Sequence, residues 1–505
     1  MRKRLEPRVR RRSRERTGIP AQPASSDFLK FFWVFVLILV AYSLLTYSER
    51  RPSSTFAALF IAAAALLPSY LWCSDRVRGL PIFPMFCAAF VVTHAIQLLI
   101  GQERLEDNPP EAIWMAAFTV AGTMLVGTVI WRICLGFPRS LPPTFFLLGG
   151  SRGTTVLFFV LAASTFFTVA GSAGWLSQLP SGIFSIVRGL IRGLTGFTTF
   201  VLAMRWGSRE LSPSLIVQFF LLMICFLVAD VVSLYLISTI STCLMLLVGF
   251  AIGRKAVPWL AVAAVILAVS ILHVGKGDMR QKYWSEEQGH VVSPLSYPSF
   301  FMEWAGYSAK VLSHQRGGGE WTASIFERAN TIDLMLQAQR MAPDEVPFLD
   351  GATYRIIPDA LIPRIFSPTK RSPHESTTML NVYFGNQTQE SAESTSIGWG
   401  LLNEAYANFG IPGCLALGAI LGAFYGWMTR WSVGHPLTSV STLVGIFTMA
   451  FAMQTEMTAA VYITAYIQGL FGLLLLAFFF ARRQARLPLP PGEVTAPKAS
   501  HASAS

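Results

Sequence analysis

The chain has 505 residues, 53% of them hydrophobic and only 13% charged, with a mean hydropathy of +0.49. Soluble proteins carry about 25% charged residues, so a soluble globular domain is excluded and a polytopic membrane protein is implied. The net charge of +12 lies largely in basic anchors beside apolar runs, which argues for topology signals and against a nucleic-acid partner.

Residues 1–27, with "RKRLEPRVRRRSRER", read as a basic disordered cytoplasmic tail. The run 28–47 that follows is too long for a signal-peptide core and lacks a clear small-residue cleavage site, so it reads as a signal-anchor. Runs of about 20 apolar residues, the length that crosses a bilayer, then recur. They give twelve expected spans: 28–47, 55–73, 81–101, 112–136, 154–173, 183–206, 214–234, 237–253, 256–274, 410–429, 438–456 and 459–480. With the N-terminus inside, the inner connections carry Arg76, Arg78, Arg139, Arg152, Arg209, Arg254, Lys255 and Arg430, and the C-terminal tail 482–505 opens on Arg482, Arg483 and Arg486. The outer connections include the acidic "QERLEDNPPE", with Arg50 and Arg51 as the main exception. Both termini are therefore expected in the cytoplasm. The expected divisions are the tail 1–27, nine transmembrane helices within 28–275, a large outer loop 276–396, a re-entry segment with three further helices within 397–481, and the tail 482–505.

The outer loop holds 11 Lys/Arg against 14 Asp/Glu, half of the acidic residues in the chain. Long loops of this kind are usually functional. Within it, "SIFERANTIDLMLQAQRM" sets Ile325, Ile332, Met335 and Leu336 at helical spacing. The proline-punctuated "IPDALIPRIFSPTKRSP" reads as an irregular path. The six cysteines all lie in or beside apolar spans without CxxC spacing, so neither a disulfide framework nor a metal site is implied. Walker A, GxGxxG, HExxH and DxD patterns are all absent from the sequence.

Ionisable groups within spans cost on the order of 2.5–3.5 kcal/mol near a helix centre. Under this topology His94, Asp230, His273, Gln454 and Glu456 gather toward the outer side. Lys30, Arg132 and Arg205 sit at inner helix ends, where their side chains reach the interface. The asymmetry points to a polar cavity on the outer side. Arg188 and Arg192 share a helix face at i, i+4; they form either an interfacial amphipathic helix or a paired cation site for phosphate, which the forked guanidinium suits. Lys276, Arg280 and Lys282 form a second cluster, and Arg328, Arg340, Arg355, Arg364, Lys370 and Arg371 recur through the loop. Proton-acceptor candidates are Glu404, Asp278, His374 and Glu375, with Glu456 and Asp230 further off. The stretch "GLLNEAYANFG" sets Asn403, Glu404, Tyr406 and Asn408 before an apolar run. Glu404 reads either as a helix-start carboxylate favoured by the macrodipole or as a base oriented by Asn408, four residues on.

The ordered set "GKGDMRQKYW", "ERANTIDLMLQAQRMAPDEVPFLDG", "LIPRIFSPTK" and "GLLNEAYANFGIPG" resembles bacterial O-antigen polymerases, the Wzy-like polymerases of oligosaccharide repeat units. The resemblance covers roughly 276–430 together with the span count. It departs from the family pattern in "PRIFSPTKRSPHES", where serine stands in the tryptophan position. It implies an all-α polytopic membrane protein of GT-C-like architecture, with about 12 transmembrane helices and one large extracytoplasmic loop, in the bacterial inner membrane. It further implies metal-independent glycosyl transfer between undecaprenyl-pyrophosphate-linked oligosaccharides at the periplasmic face, without a cofactor, alongside a chain-length regulator and a flippase. On that reading Arg280, Arg328 and Arg364 face the pyrophosphate and Glu404 is the base. Substrate contacts would come from Lys276, Lys282, Arg188, Arg192, Arg340, Arg355, Lys370, Asn403, Tyr406 and Asn408. An O-antigen ligase is the alternative within enzymes; a polysaccharide transporter or an assembly scaffold is the alternative outside them.

Overall fold

A computed structural model describes residues 26–47, 51–101, 103–137, 144–147, 150–179, 181–234, 236–283, 291–314, 330–362, 367, 369–394, 397–436 and 439–485. The fold is almost wholly helical. Among the described residues, eight helices are long and apolar enough to cross a membrane, or nine if one bent pair counts as a single span. They include α1 (Ser26–Leu45), α2 (Pro52–Cys73), α3 (Ile82–Ile100), α4 (Pro110–Gly136) and α5 (Gly150–Ser172). The expected spans at 183–206, 237–253 and 438–456 also have helices: α6 (Ser181–Gly207), α8 (Leu236–Arg254) and, later in the chain, Val440–Ala452. Among the described residues, Ser238–Arg254 and Val440–Ala452 are shorter apolar helices, and Ser181–Gly207, which carries Arg188, Arg192 and Arg205, is not among the eight.

Helix starts follow local chemistry. Proline occupies the first turn of α2, of α4 and of α7 (Pro213–Val232), where its missing N–H and fixed φ cost nothing. α9 (Trp259–Val274) has no buried residue and meets α10 (Lys276–Tyr283) at a 51° bend. α11 (Tyr297–His314) then packs back along α9: Trp304 Nε1 donates to the Leu272 carbonyl at 2.8 Å and Ser308 Oγ to that of Ile271 at 2.9 Å. Met279, Val292, Phe300 and Trp304 join Val231, Val232, Leu234 and Leu236 in a small core apart from the main one.

The loop contributes α12 (Ile332–Met341), α13 (Ile356–Leu361) and α14 (Glu375–Tyr383). α12 buries Ile332, Met335 and Leu336 of the amphipathic pattern; Ile325 lies outside the described residues. The chain then enters α15 (Gly400–Ser432), α16 (Val440–Ala452) and α17 (Ala459–Phe480).

α15 is two helices. Gly410 has φ 62° and ψ −152°, a region essentially closed to residues with a Cβ. The preceding arm 400–409 is folded against the following one: Cys414 Sγ donates to the Leu402 carbonyl at 3.6 Å. The second arm packs tightly on α4, because Gly418 and Gly422 lie against the backbone carbonyls of Thr123 and Gly127, leaving no room for a Cβ at either. Small residues four apart allow this close approach of backbones within a membrane. At the opposite end of the bundle from the loop, β1 (Thr144–Leu147) pairs antiparallel with β2 (Arg482–Ala485).

Candidate functional site

The arm 400–409 is buried between the loop and the membrane bundle, and its polar residues tie the two together. Asn403 Nδ2 donates to the Thr331 carbonyl at 2.8 Å. Asn408 Nδ2 donates to Thr353 Oγ1 at 2.9 Å and to the Glu404 carbonyl at 2.8 Å. The amides of Leu349 and Asp350 close the arm's end on the Ala407 and Asn408 carbonyls. Glu404 has no solvent exposure, and its carboxylate accepts from the Ala459 N–H. Ala459 opens α17. The N-cap residue there, Thr458, has its hydroxyl engaged with Ser376 and Thr377, so a glutamate from another helix serves the α17 N-terminus, where a negative charge is favoured. Glu404 thus has the helix-capping chemistry read from the sequence, applied to a different helix. A general base needs hydrogen-bond reach to the proton it takes, and this carboxylate is closed off from solvent. Tyr406 is likewise buried, edge-on to the Phe348 ring.

Four chain segments meet beside this arm. Ser376 and Thr377 at the start of α14 bond Thr458 at 2.8 and 3.0 Å, and the Glu456 carbonyl accepts from Gly400 N–H at 3.0 Å. His374, just ahead of α14, keeps solvent access. Close protein packing, and then the Arg188 guanidinium, hold its imidazole below the ordinary histidine range. Burial pushes the Glu456 carboxyl up, and the Lys276 ammonium opposes that push. Arg188 thus acts on His374 and Lys276 on Glu456, and the Thr458 hydrogen bonds to Ser376 and Thr377 bring the segments of the two acceptors together.

The remaining expected residues have other surroundings. Arg280 Nη2 donates to the Leu234 carbonyl at 3.0 Å, capping the α7 end. Lys282 pairs with Glu303 at 2.5 Å, and Tyr283 adds a hydrogen bond to the same carboxylate at 3.0 Å. Lys370 Nζ donates to the Ala360 carbonyl at 2.8 Å. Arg340 and Arg355 are exposed. Arg371 pairs with Glu375, four residues on, at the start of α14. Arg328, Arg364 and the Arg192 side chain lie outside the described residues.

The chain matches no protein-family model, no curated protein and no solved structure. Its site is therefore read from its own residues. Glu456 stands further off than Glu404 among the acceptors read from the sequence; its signal is a carboxylate in the short polar break "QTEMT" between two apolar runs.

Proposed function

We propose that this protein polymerises lipid-pyrophosphate-linked oligosaccharide repeat units at the membrane face that carries the 276–396 loop. The observation that carries the reading is that Thr458 bonds Ser376 and Thr377, bringing the segments of His374 and Glu456 together, with Arg188 and Lys276 acting on these two groups. A lipid pyrophosphate holds its anion at headgroup depth, where two cations from separate helices would bind it.

In the proposed step, a sugar hydroxyl of the incoming unit attacks the anomeric carbon of the growing glycan. The bond from that carbon to the pyrophosphate oxygen breaks, and the lipid pyrophosphate leaves. Arg188 and Lys276 stabilise the charge that develops on it. The hydroxyl proton goes to His374 or Glu456, the acceptors that retain solvent contact. The loop's exposed Arg340 and Arg355 add to the field that draws an anionic donor. The ordered motif resemblance across 276–430 supports the same chemistry.

The test is reconstitution of the full chain in vesicles with lipid-linked oligosaccharide extracted from the source membranes. A ladder of longer glycans is expected, with Arg188→Gln and Lys276→Gln each lowering turnover at least about tenfold through lost charge stabilisation. Folded wild-type protein that forms no ladder from authentic substrate overturns the proposal.

A further inference from the structure

A small recess of about 10 Å³, room for one water-sized group, lies where the arm 400–409 meets α3. It is lined by Phe90, His94, Thr331, Trp399, Asn403 and Thr455, among others. His94 and Asn403 are 2% and 1% exposed. The α3 backbone forms a π turn over Val91–Ala95, which includes His94, and such bulges recur at functional sites.

Thr93 Oγ1 lies 3.1 Å from the Ala89 carbonyl and 2.8 Å from His94 Nδ1, and Thr331 Oγ1 lies 3.4 Å from the same nitrogen. The other ring nitrogen, Nε2, has no hydrogen-bond partner among the described residues. Asn403 is in the same condition. Its Nδ2 serves the Thr331 carbonyl, while Oδ1 has no partner. Residues with two unpartnered polar atoms, an imidazole nitrogen and an amide oxygen, line one recess.

A buried polar atom left unpaired costs about 1–3 kcal/mol, so the recess is built to receive a group that donates to Asn403 Oδ1 and pairs with the imidazole in either tautomer. An anion is disfavoured by the amide oxygen. A metal cation is disfavoured by the lack of a carboxylate in the lining. What fits is a neutral group bearing O–H, which both donates and accepts. The space takes one water-sized group, hence one substituent of a larger ligand rather than the ligand whole.

We propose that this recess is a subsite for a sugar hydroxyl of the oligosaccharide, held by His94 Nε2 and Asn403 Oδ1. The proposal rests on the polymerase reading for the identity of the ligand. His94 acts here as a binding residue. An ordered water offers the same O–H chemistry, and the test separates the two sources.

The probe is the lipid-free oligosaccharide released from extracted lipid-linked material, titrated calorimetrically into the full chain in nanodiscs. Wild type is expected to bind it. His94→Phe, which keeps a ring against Phe90, should weaken binding about tenfold, and His94→Gln, which both donates and accepts, should stay within about twofold. Equal affinity in wild type and His94→Phe, with only thermal stability changed, means that water alone occupies the recess and overturns the proposal. Failure of wild type to bind the oligosaccharide overturns it as well, whether or not the phenylalanine variant folds. Binding that depends on His94 without any glycan ladder upholds the subsite and removes the polymerase reading.

Discussion

At the scale of single residues, Glu404 shows how a chemical role depends on what lies opposite a side chain. Both readings available from the sequence, helix charge and proton acceptor, assumed that its partners were near in the chain. Its partner is the amide of Ala459, 55 residues later, which no local spacing reveals. Glu404→Leu leaves that buried N–H without an acceptor and should destabilise the protein by about 1–3 kcal/mol. Glu404→Gln keeps an acceptor oxygen and should melt close to wild type. Thermal unfolding of both variants in detergent checks this. Loss of turnover in a Glu404→Gln protein that melts normally would return the carboxylate to the chemistry. His374 supports a prediction in pH. Its imidazole is held below its ordinary value by close packing and by Arg188, so the unfolded chain takes up a proton first, as pH falls through about 6.5. The native state then loses stability on acidification, a loss that is absent at about pH 8. His374→Gln should show a smaller fall in melting temperature between about pH 8 and pH 5 than wild type; an equal fall rules out this source.

At the scale of elements, hydropathy found helices at the apolar runs but missed the break in α15. The sequence places the tenth span at 410–429, and the apolar arm does begin just after Gly410. What could not be read was the direction of the arm before it. Glycine and Pro412 signal an interruption, but the sharp fold depends on a backbone conformation that only the surrounding contacts fix. Here those contacts are the Phe348 ring beside Gly410 and the packing of Gly413 on Ala405 and Phe409. Gly410→Ala should therefore cost about 1–3 kcal/mol from backbone strain, with a further cost from the alanine methyl pressing on Phe348. Chemical denaturation that finds Gly410→Ala as stable as wild type would mean that the two arms run straight in the membrane. The recess at His94 was half legible for the same reason. A histidine within an apolar run declares itself, whereas the donors and acceptors around it come from α3, the segment before α12 and the arm 400–409, which only the fold brings together.

At the scale of the whole molecule, the arrangement of charges becomes a statement about sidedness. Phe31 in α1 touches Trp259 at the start of α9, so these helices begin at the same end of the bundle. The pairing of Thr144–Leu147 with Arg482–Ala485 brings the α4–α5 connection to the chain after α17. The loop 276–396 leaves from the other end of α9 and returns into α15. The connections expected inside from their Arg and Lys content therefore have a structural counterpart in this common end. On a cysteine-free background, single cysteines at positions 340 and 483, both exposed, separate the possibilities. An impermeant thiol reagent applied to intact cells should label position 340, and should reach position 483 only after the membrane is opened. The opposite pattern would set Arg188, Lys276, His374 and Glu456 toward the cytoplasm. A polymerase acting on exported lipid-linked units would then have no access to its substrate, and the proposed function would fail on topology before any assay of turnover.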